Sequence, residues 1–312
     1  MNNNKLCKWL AGIFLLLFLA GCQSNETSLE ETPKATETEA YSVVDDRGKE
    51  ILFEKTPETV VSLQPSNTEI LFEIGVGDKV IGVTEFDNFP EEVSEIEVVS
   101  DTVVFNAERI IELDPDVVIA YTIGDENAIT PLEEAGIPVF VIESASAFED
   151  VYSDIKQISK VMGVEETGEE LVANIQSRIE DVKKTGEVIE SAKKVYLEIS
   201  PAPEIFTTGK NTFQQEILDH AGVENVFLDQ EGWIKLSEED VIKRNPEIIA
   251  TTVYYTEDPL AEIKGRNGWN EIQAIQNEQV FQLDGDILSR PGPRIAEAVE
   301  MVAEMAYPEL YK

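Results

Sequence analysis

The sequence predicts an α/β protein built from two similar lobes joined by one long α-helix. Three observations predict it. Short apolar strands alternate with helical patterns through most of the chain. A charged amphipathic stretch near the middle interrupts that alternation. The second half then repeats the grammar of the first. At 312 residues the chain is long for a single core and comfortable for two.

The first 21 residues read as a signal peptide. Lys5 and Lys8 supply a basic start, and residues 9–20 are apolar over a length too short for a mature membrane span. The stretch ends in LAGC, at Leu19 to Cys22, and resembles a bacterial lipobox, in which the cysteine receives a diacylglyceryl group and becomes the first mature residue. An ordinary secreted cysteine is the alternative. Two acyl chains are enough for stable attachment to the outer face of the cytoplasmic membrane, in the manner of a Gram-positive lipoprotein. Cys7 leaves with the signal, so neither a disulfide framework nor thiol chemistry remains. Residues 22–40, polar and rich in acid, Ser and Thr, read as a disordered tether.

The N-terminal α/β lobe is expected over residues 41–165. It opens with two strand-like runs in YSVVDDRGKEILFE around a turn at Asp46, Arg47 and Gly48. Apolar strands follow at 60–63, 80–83, 117–120 and 138–142. Over residues 166–190, Leu171, Ile175, Ile179 and Val182 recur at steps of four and three on a charged background, which predicts one linking helix spanning roughly 30 Å. A second α/β lobe, 191–312, begins with a strand at 195–199. Its sequence answers the first: EILFEIGV (69–76) matches EILDHAGV (216–223), and NAERIIELDPDVVIA (106–120) matches SEEDVIKRNPEIIA (237–250). In the second pair Asn106 answers Ser237 as helix cap, Glu108 answers Glu239 in the first turn, and Pro115 answers Pro246 at the stop. Repeats of this spacing are domain-sized. Ser66 with Glu69, and Asn211 with Gln214, have the form of capping boxes.

Much chemistry is excluded by count. The formal charge is −38, from 62 acids against 24 bases, which argues against nucleic acid and against attachment to anionic lipid through a basic patch. There is one histidine, His220, so a metal site built from several His ligands is ruled out. No G-x-S-x-G elbow, Walker loop or G-x-G-x-x-G is present. A paired-carboxylate enzyme, such as a surface hydrolase, stays open as the alternative of another class, although 62 acids guarantee accidental pairs.

In open α/β sheets ligands bind beyond the C-terminal strand ends. Those loops hold Gln64, Ser66, Phe86, Phe89, Thr102 and Tyr121 in the first lobe. In the second they hold Thr208, Trp233, Tyr254, Arg290 and Arg294. Aromatic residues in loops suit a groove for a large flat or greasy ligand, although each alone could instead pack in a core. Trp269 reads as structural. The first-lobe loops carry no Lys or Arg, so an anionic part of a ligand would have to meet Lys210, Arg290 or Arg294. Arg294 reads equally well as the start of the last helix, paired with a neighbouring acid.

VVSLQPSNTEILFEIGVGDKVIGVTEFDNFPEE, NAERIIELDPDVVIAY and the terminal SRPGPRIAEAVE together resemble the cobalamin- and siderophore-binding lipoproteins of ABC importers, over nearly all of residues 42–310. The resemblance implies two Rossmann-like lobes bridged by a single helix, with the ligand held in the cleft between them. It implies a monomeric receptor with no catalytic residue, metal or resident cofactor. Its partners would be a permease dimer and that dimer's ATPase subunits. One acid on each lobe would dock on arginines of the permease, and the matching positions are Glu108 and Glu239. The ligand implied is a corrinoid, cobalamin first, with an iron–siderophore or haem as the alternative. Trp233 and Phe86 match aromatic positions of the corrinoid site, whereas Thr102 stands near a point where a cobalamin binder carries an indole.

Overall fold

The computed structural model describes residues 40–101, 104–121 and 126–311. The signal peptide, nearly all of the tether, Cys22 and Thr102 lie outside the described residues. The first lobe opens with an antiparallel hairpin, β1 (Tyr41–Val44) and β2 (Glu50–Phe53), turning where Gly48 adopts φ 76°. Five parallel strands follow: β3 (Val60–Ser62), β4 (Val80–Thr84), β5 (Val98–Ser100), β6 (Val117–Tyr121) and β7 (Val139–Ile142). They lie in the order β5-β4-β3-β6-β7. Helices α1 (Pro65–Glu73), α2 (Ala107–Leu113), α3 (Thr130–Glu134) and α4 (Phe148–Val161) connect or cover them.

Helix α5 (Glu165–Gly186) links the lobes. It buries Val172, Ile175, Ile179 and Val182, with Leu171 only half-buried at the edge of the stripe. It stops at Gly186, short of the expected residue 190, because glycine is the poorest ordinary helix former and the chain turns back there, Ile189 N–H donating to the Gly186 carbonyl. Gly168 is where α5 meets α4: a Cβ there would stand 2.0 Å from Ser159 Oγ.

The second lobe contains β8 (Lys194–Ser200), β9 (Phe206–Thr208), β10 (Glu224–Asn225), β11 (Trp233–Lys235), β12 (Ile248–Thr251) and β13 (Val280–Gln282). β10, β8, β12 and β13 run parallel, in that order. The antiparallel pair β9 and β11 hangs on the C-terminal half of β8. Its helices are α6 (Phe213–His220), α7 (Glu238–Arg244), α8 (Pro259–Gly265), α9 (Gln273–Gln276), α10 (Gly285–Ser289) and α11 (Ile295–Ala306).

The repeat extends to backbone detail. Asp114 and Asn245 end α2 and α7 in the left-handed region, at φ 50° and 48°, and Gly75 and Gly222 turn the chain after α1 and α6 at φ 79° and 74°. Among the described residues three apolar cores follow from this layout. One lies behind each sheet on the outer side, around Ile110 and Leu132 in the first lobe and around Tyr196 and Trp269 in the second. The third is shared: Ile70, Phe148, Ile175, Ile217 and Val302, from α1, α4, α5, α6 and α11, form one continuous cluster between the sheets. The lobes are therefore fused through a common interior as well as through α5.

Two capping expectations are corrected. Helix α1 begins at Pro65, with Gln64 as a cap that makes no side-chain bond, so Ser66 and Glu69 form no box. Proline is favoured at the first helical position, and Glu69 is drawn elsewhere. The cap of α6 is Thr212, whose hydroxyl accepts from Gln215 N–H; Asn211 sits before it at φ 62°.

Candidate functional site: the interlobe cleft

The C-terminal ends of β3, β4, β12 and β13 open on a cleft of about 850 Å³. Its wall combines Gln64, Pro65, Glu85, Phe86 and Asn88 from the first lobe with Tyr254, Gln282, Leu283, Asp284, Gly285, Asp286, Ser289, Arg290 and Pro291 from the second. Four of the expected residues meet here: Gln64, Phe86, Tyr254 and Arg290. Phe86 is 52% exposed and Tyr254 is 68% exposed, with Tyr255 packed edge-on against it at 5.7 Å. Large aromatic faces left in water on both walls of one groove are the signature of a ligand surface.

Beneath the cleft lies a buried ionic hub. Glu69, 1% exposed, receives Arg294 Nε at 2.8 Å and Nη2 at 2.6 Å, and Arg290 Nη1 at 3.1 Å. Arg290 also donates to Asn88 Oδ1 at 2.8 Å and to the Phe86 carbonyl at 2.9 Å, and pairs with Asp286 at 3.1 Å. Asn88 in turn donates to Asp286 at 2.7 Å. Arg294 caps α11 and lies over the Phe89 ring at 4.2 Å. Burial opposes its charge, but the Glu69 carboxylate outweighs burial and raises its pKa. Of the two readings of Arg294 in the sequence, the structure shows the helix start with an acid partner.

The remaining candidates are placed outside the wall. Ser66 is buried on α1 next to Gly292. Tyr121 donates to Ser144 at 2.5 Å. Thr208 is buried and bonded to Thr212, a structural arrangement. Trp233, 61% exposed on β11, reaches Gln214 Oε1 at 3.2 Å. Lys210 is exposed and does not line the cleft. Sequence reasoning missed residues 282–286, the end of β13 and the start of α10. Their signal was the Asp-Gly-Asp turn after a three-residue strand too short to stand out. His220 packs on Phe148 with ring centroids 4.9 Å apart, and Trp269 is fully buried.

Glu108 and Glu239 stand at the second position of the equivalent helices α2 and α7. Asn106 and Ser237 cap those helices by accepting from Arg109 N–H and Asp240 N–H. Both glutamates are exposed, and neither forms an ion pair among the described residues. Beside Glu108, Arg109 is taken up by Glu97 at 2.6 Å and Glu112 at 2.8 Å.

Comparison with known proteins places this architecture. Residues 60–287 match the family described as periplasmic binding protein. The chain belongs to that family. It is 37% identical over 97% of its length, and 98% of the relative's, to an uncharacterized ABC transporter substrate-binding lipoprotein of Bacillus subtilis, YvrC. It is 32% identical to a vitamin B12-binding protein of Vibrio parahaemolyticus, covering 79% of this chain and 88% of that one. A solved structure of a possible iron-binding, periplasmic solute-binding protein from Staphylococcus epidermidis superposes with a TM-score of 0.73 at 31% identity, covering 81% of this chain and all of the other. The chain is therefore a substrate-binding protein of the ABC-importer type, with two α/β lobes, and not an enzyme. The hydrolase alternative falls. Among the described residues no helix is long and apolar enough to cross a membrane.

Proposed function

We propose that this protein captures a corrinoid, cobalamin first, in the interlobe cleft and delivers it to an ABC permease. The observation that carries the reading is the pair of exposed aromatics, Phe86 and Tyr254, on opposite walls of a cleft that also bears the amides of Gln64, Asn88 and Gln282. Aromatic faces suit a broad macrocycle, and amides suit the amide fringe of a corrin. The 32% identical relative named for vitamin B12 supports the same choice. Attachment through a diacylglyceryl group on Cys22 to the outer face of the cytoplasmic membrane completes the proposal, and the relative named as a lipoprotein supports it.

Docking is assigned to Glu108 and Glu239. They are exposed, unpaired among the described residues and equivalent in the repeat, so they can meet two symmetric basic pockets of a permease dimer, setting orientation as much as affinity. The second reading, an iron–siderophore or haem receptor, is supported by the 31% identical solved structure of a possible iron-binding protein. Titration with cyanocobalamin and cobinamide tests the first reading: saturable binding is expected, and its absence up to about 1 mM would overturn it. For docking, Glu108→Ala combined with Glu239→Ala should abolish uptake in cells and leave ligand affinity unchanged. Undiminished uptake would remove these residues from the contact.

A further inference from the structure

The charge of the cleft wall carries the reading of the site one step further, to the class of ligand it accepts, and rests on the cleft being the ligand site. Three carboxylates line it: Glu85, Asp284 and Asp286. The one base on the wall among the described residues is Arg290, and both its terminal nitrogens are engaged, Nη1 by Glu69 and Asn88 and Nη2 by the Phe86 carbonyl and Asp286. Arg294 is turned into Glu69 and does not reach the wall. Neither arginine can be released to a ligand without leaving the Glu69 carboxylate buried and short of a partner.

Elsewhere on the wall, Asp284 is spent on capping α10, through Asp286 N–H at 2.8 Å and Ile287 N–H at 3.2 Å. Glu85 is exposed and has no side-chain partner among the described residues. The sequence adds no cation from the other strand-end loops of the first lobe, since 101–105 and 121–125 contain neither Lys nor Arg. The exposed Glu85 carboxylate is an unfilled acceptor for a donor on the ligand. Behind it, Gln64 Oε1 is buried without a hydrogen-bond partner among the described residues, and a ligand donor reaches it only if that side chain turns outward.

We propose that the cleft selects its ligand by charge, taking an uncharged or cationic ligand whose rim donates hydrogen bonds and rejecting polyanions. An anion brought here would lose hydration, face Glu85, Asp284 and Asp286, and find no free base for a charge-assisted bond. Amide-fringed corrinoids and ferric hydroxamates satisfy the rule. Haem, with its propionates, and ferric catecholates break it.

The test is calorimetric titration of the full chain in lipid nanodiscs, with empty nanodiscs subtracted, against five probes: cyanocobalamin, aquacyanocobinamide (a cation), a ferric trihydroxamate, haemin and a ferric tricatecholate. The uncharged or cationic probe that binds best should exceed both anions by at least about tenfold, with the gap widening as salt is lowered. Glu85→Lys, an exposed change that leaves the fold intact, should narrow the gap by about tenfold. Haemin or the tricatecholate binding as tightly as the best uncharged probe, or a gap indifferent to Glu85→Lys, would overturn charge selection while leaving the cleft as the binding site. If no probe of either charge binds, the cleft reading itself fails.

Discussion

Glu69 and Glu216 occupy the same place in the internal repeat, and each reaches from its own lobe to the other, yet they are held in different ways. Glu69, on α1, meets Arg290 and Arg294 at the start of α11. Glu216, on α6, accepts a single bond from Phe148 N–H, the first residue of α4, at 2.7 Å. Helices α4 and α11 close their respective lobes, so each glutamate addresses the N-terminus of the other lobe's last helix. On the side next to the cleft the contact is a desolvated charge hub. On the far side it is one charge-assisted bond to an orphan N–H. The pseudo-symmetry preserves position and leaves chemistry free to diverge, and the charge hub lies on the side of the cleft.

The largest expected effect comes from removing the hub. Glu69→Gln removes the carboxylate shared by two largely buried guanidinium groups, of which Arg290 alone keeps another in Asp286, and should cost about 3–5 kcal/mol, read as a lowered urea midpoint. Glu216→Gln keeps an oxygen for Phe148 N–H and should change stability by less than about 1 kcal/mol at neutral pH. Equal losses from the two variants would erase the contrast.

Asp154 sharpens the comparison from within the first lobe. It is 6% exposed on α4, and its side chain has no hydrogen bond or ion pair among the described residues. Burial first, then the charges of Asp46 and Asp150, push its pKa up to about 8. A carboxyl raised in this way contributes fully below the ordinary carboxylate range, and that contribution is lost as pH rises toward about 8. Asp154→Asn should therefore stabilise the protein at pH 8 by something on the order of 3 kcal/mol and have little effect at pH 4. Thermal denaturation across that range would show it, and a gain independent of pH would contradict the assignment.

The two halves were unequally legible in the sequence. Helix α2 and strand β6 follow from local signals alone: the Asn106 cap, Pro115 after the helix, and the apolar run 117–120. The repeat made the second copy readable, from the Ser237 cap to Pro246, whereas the left-handed stops at Asp114 and Asn245 emerge only in the structure. Residue-level roles at the cleft were harder, because they depend on partners more than 200 residues apart. Nothing near Glu69 announces that Arg290 and Arg294 will take it, and the local S-x-x-E pattern points to a capping box instead. The wall residues 282–286 are hidden for another reason: they join Tyr254 on the wall only when the short strand β13 is laid beside β12.

The smallest effect isolates the weaker glutamate. Burial raises the Glu216 pKa most, and Glu149, Asp150 and Asp219 add to it, while the Phe148 N–H pulls the other way. Its contribution is therefore complete at low pH and is lost as pH rises through its raised pKa. His220, next to it at 3.6 Å and stacked on Phe148, behaves oppositely. Burial first and then Lys183 lower its pKa, so its contribution is complete above the ordinary histidine range and lost as pH falls. In Glu216→Gln the decline of stability with rising pH just above the carboxylate range should flatten by up to about 1 kcal/mol, while the loss on acidification due to His220 persists. Denaturant midpoints from pH 4 to 8 read both limbs. If the variant and the parent trace the same curve, Glu216 is not titrating at this contact and the two sides of the interface differ in strength alone.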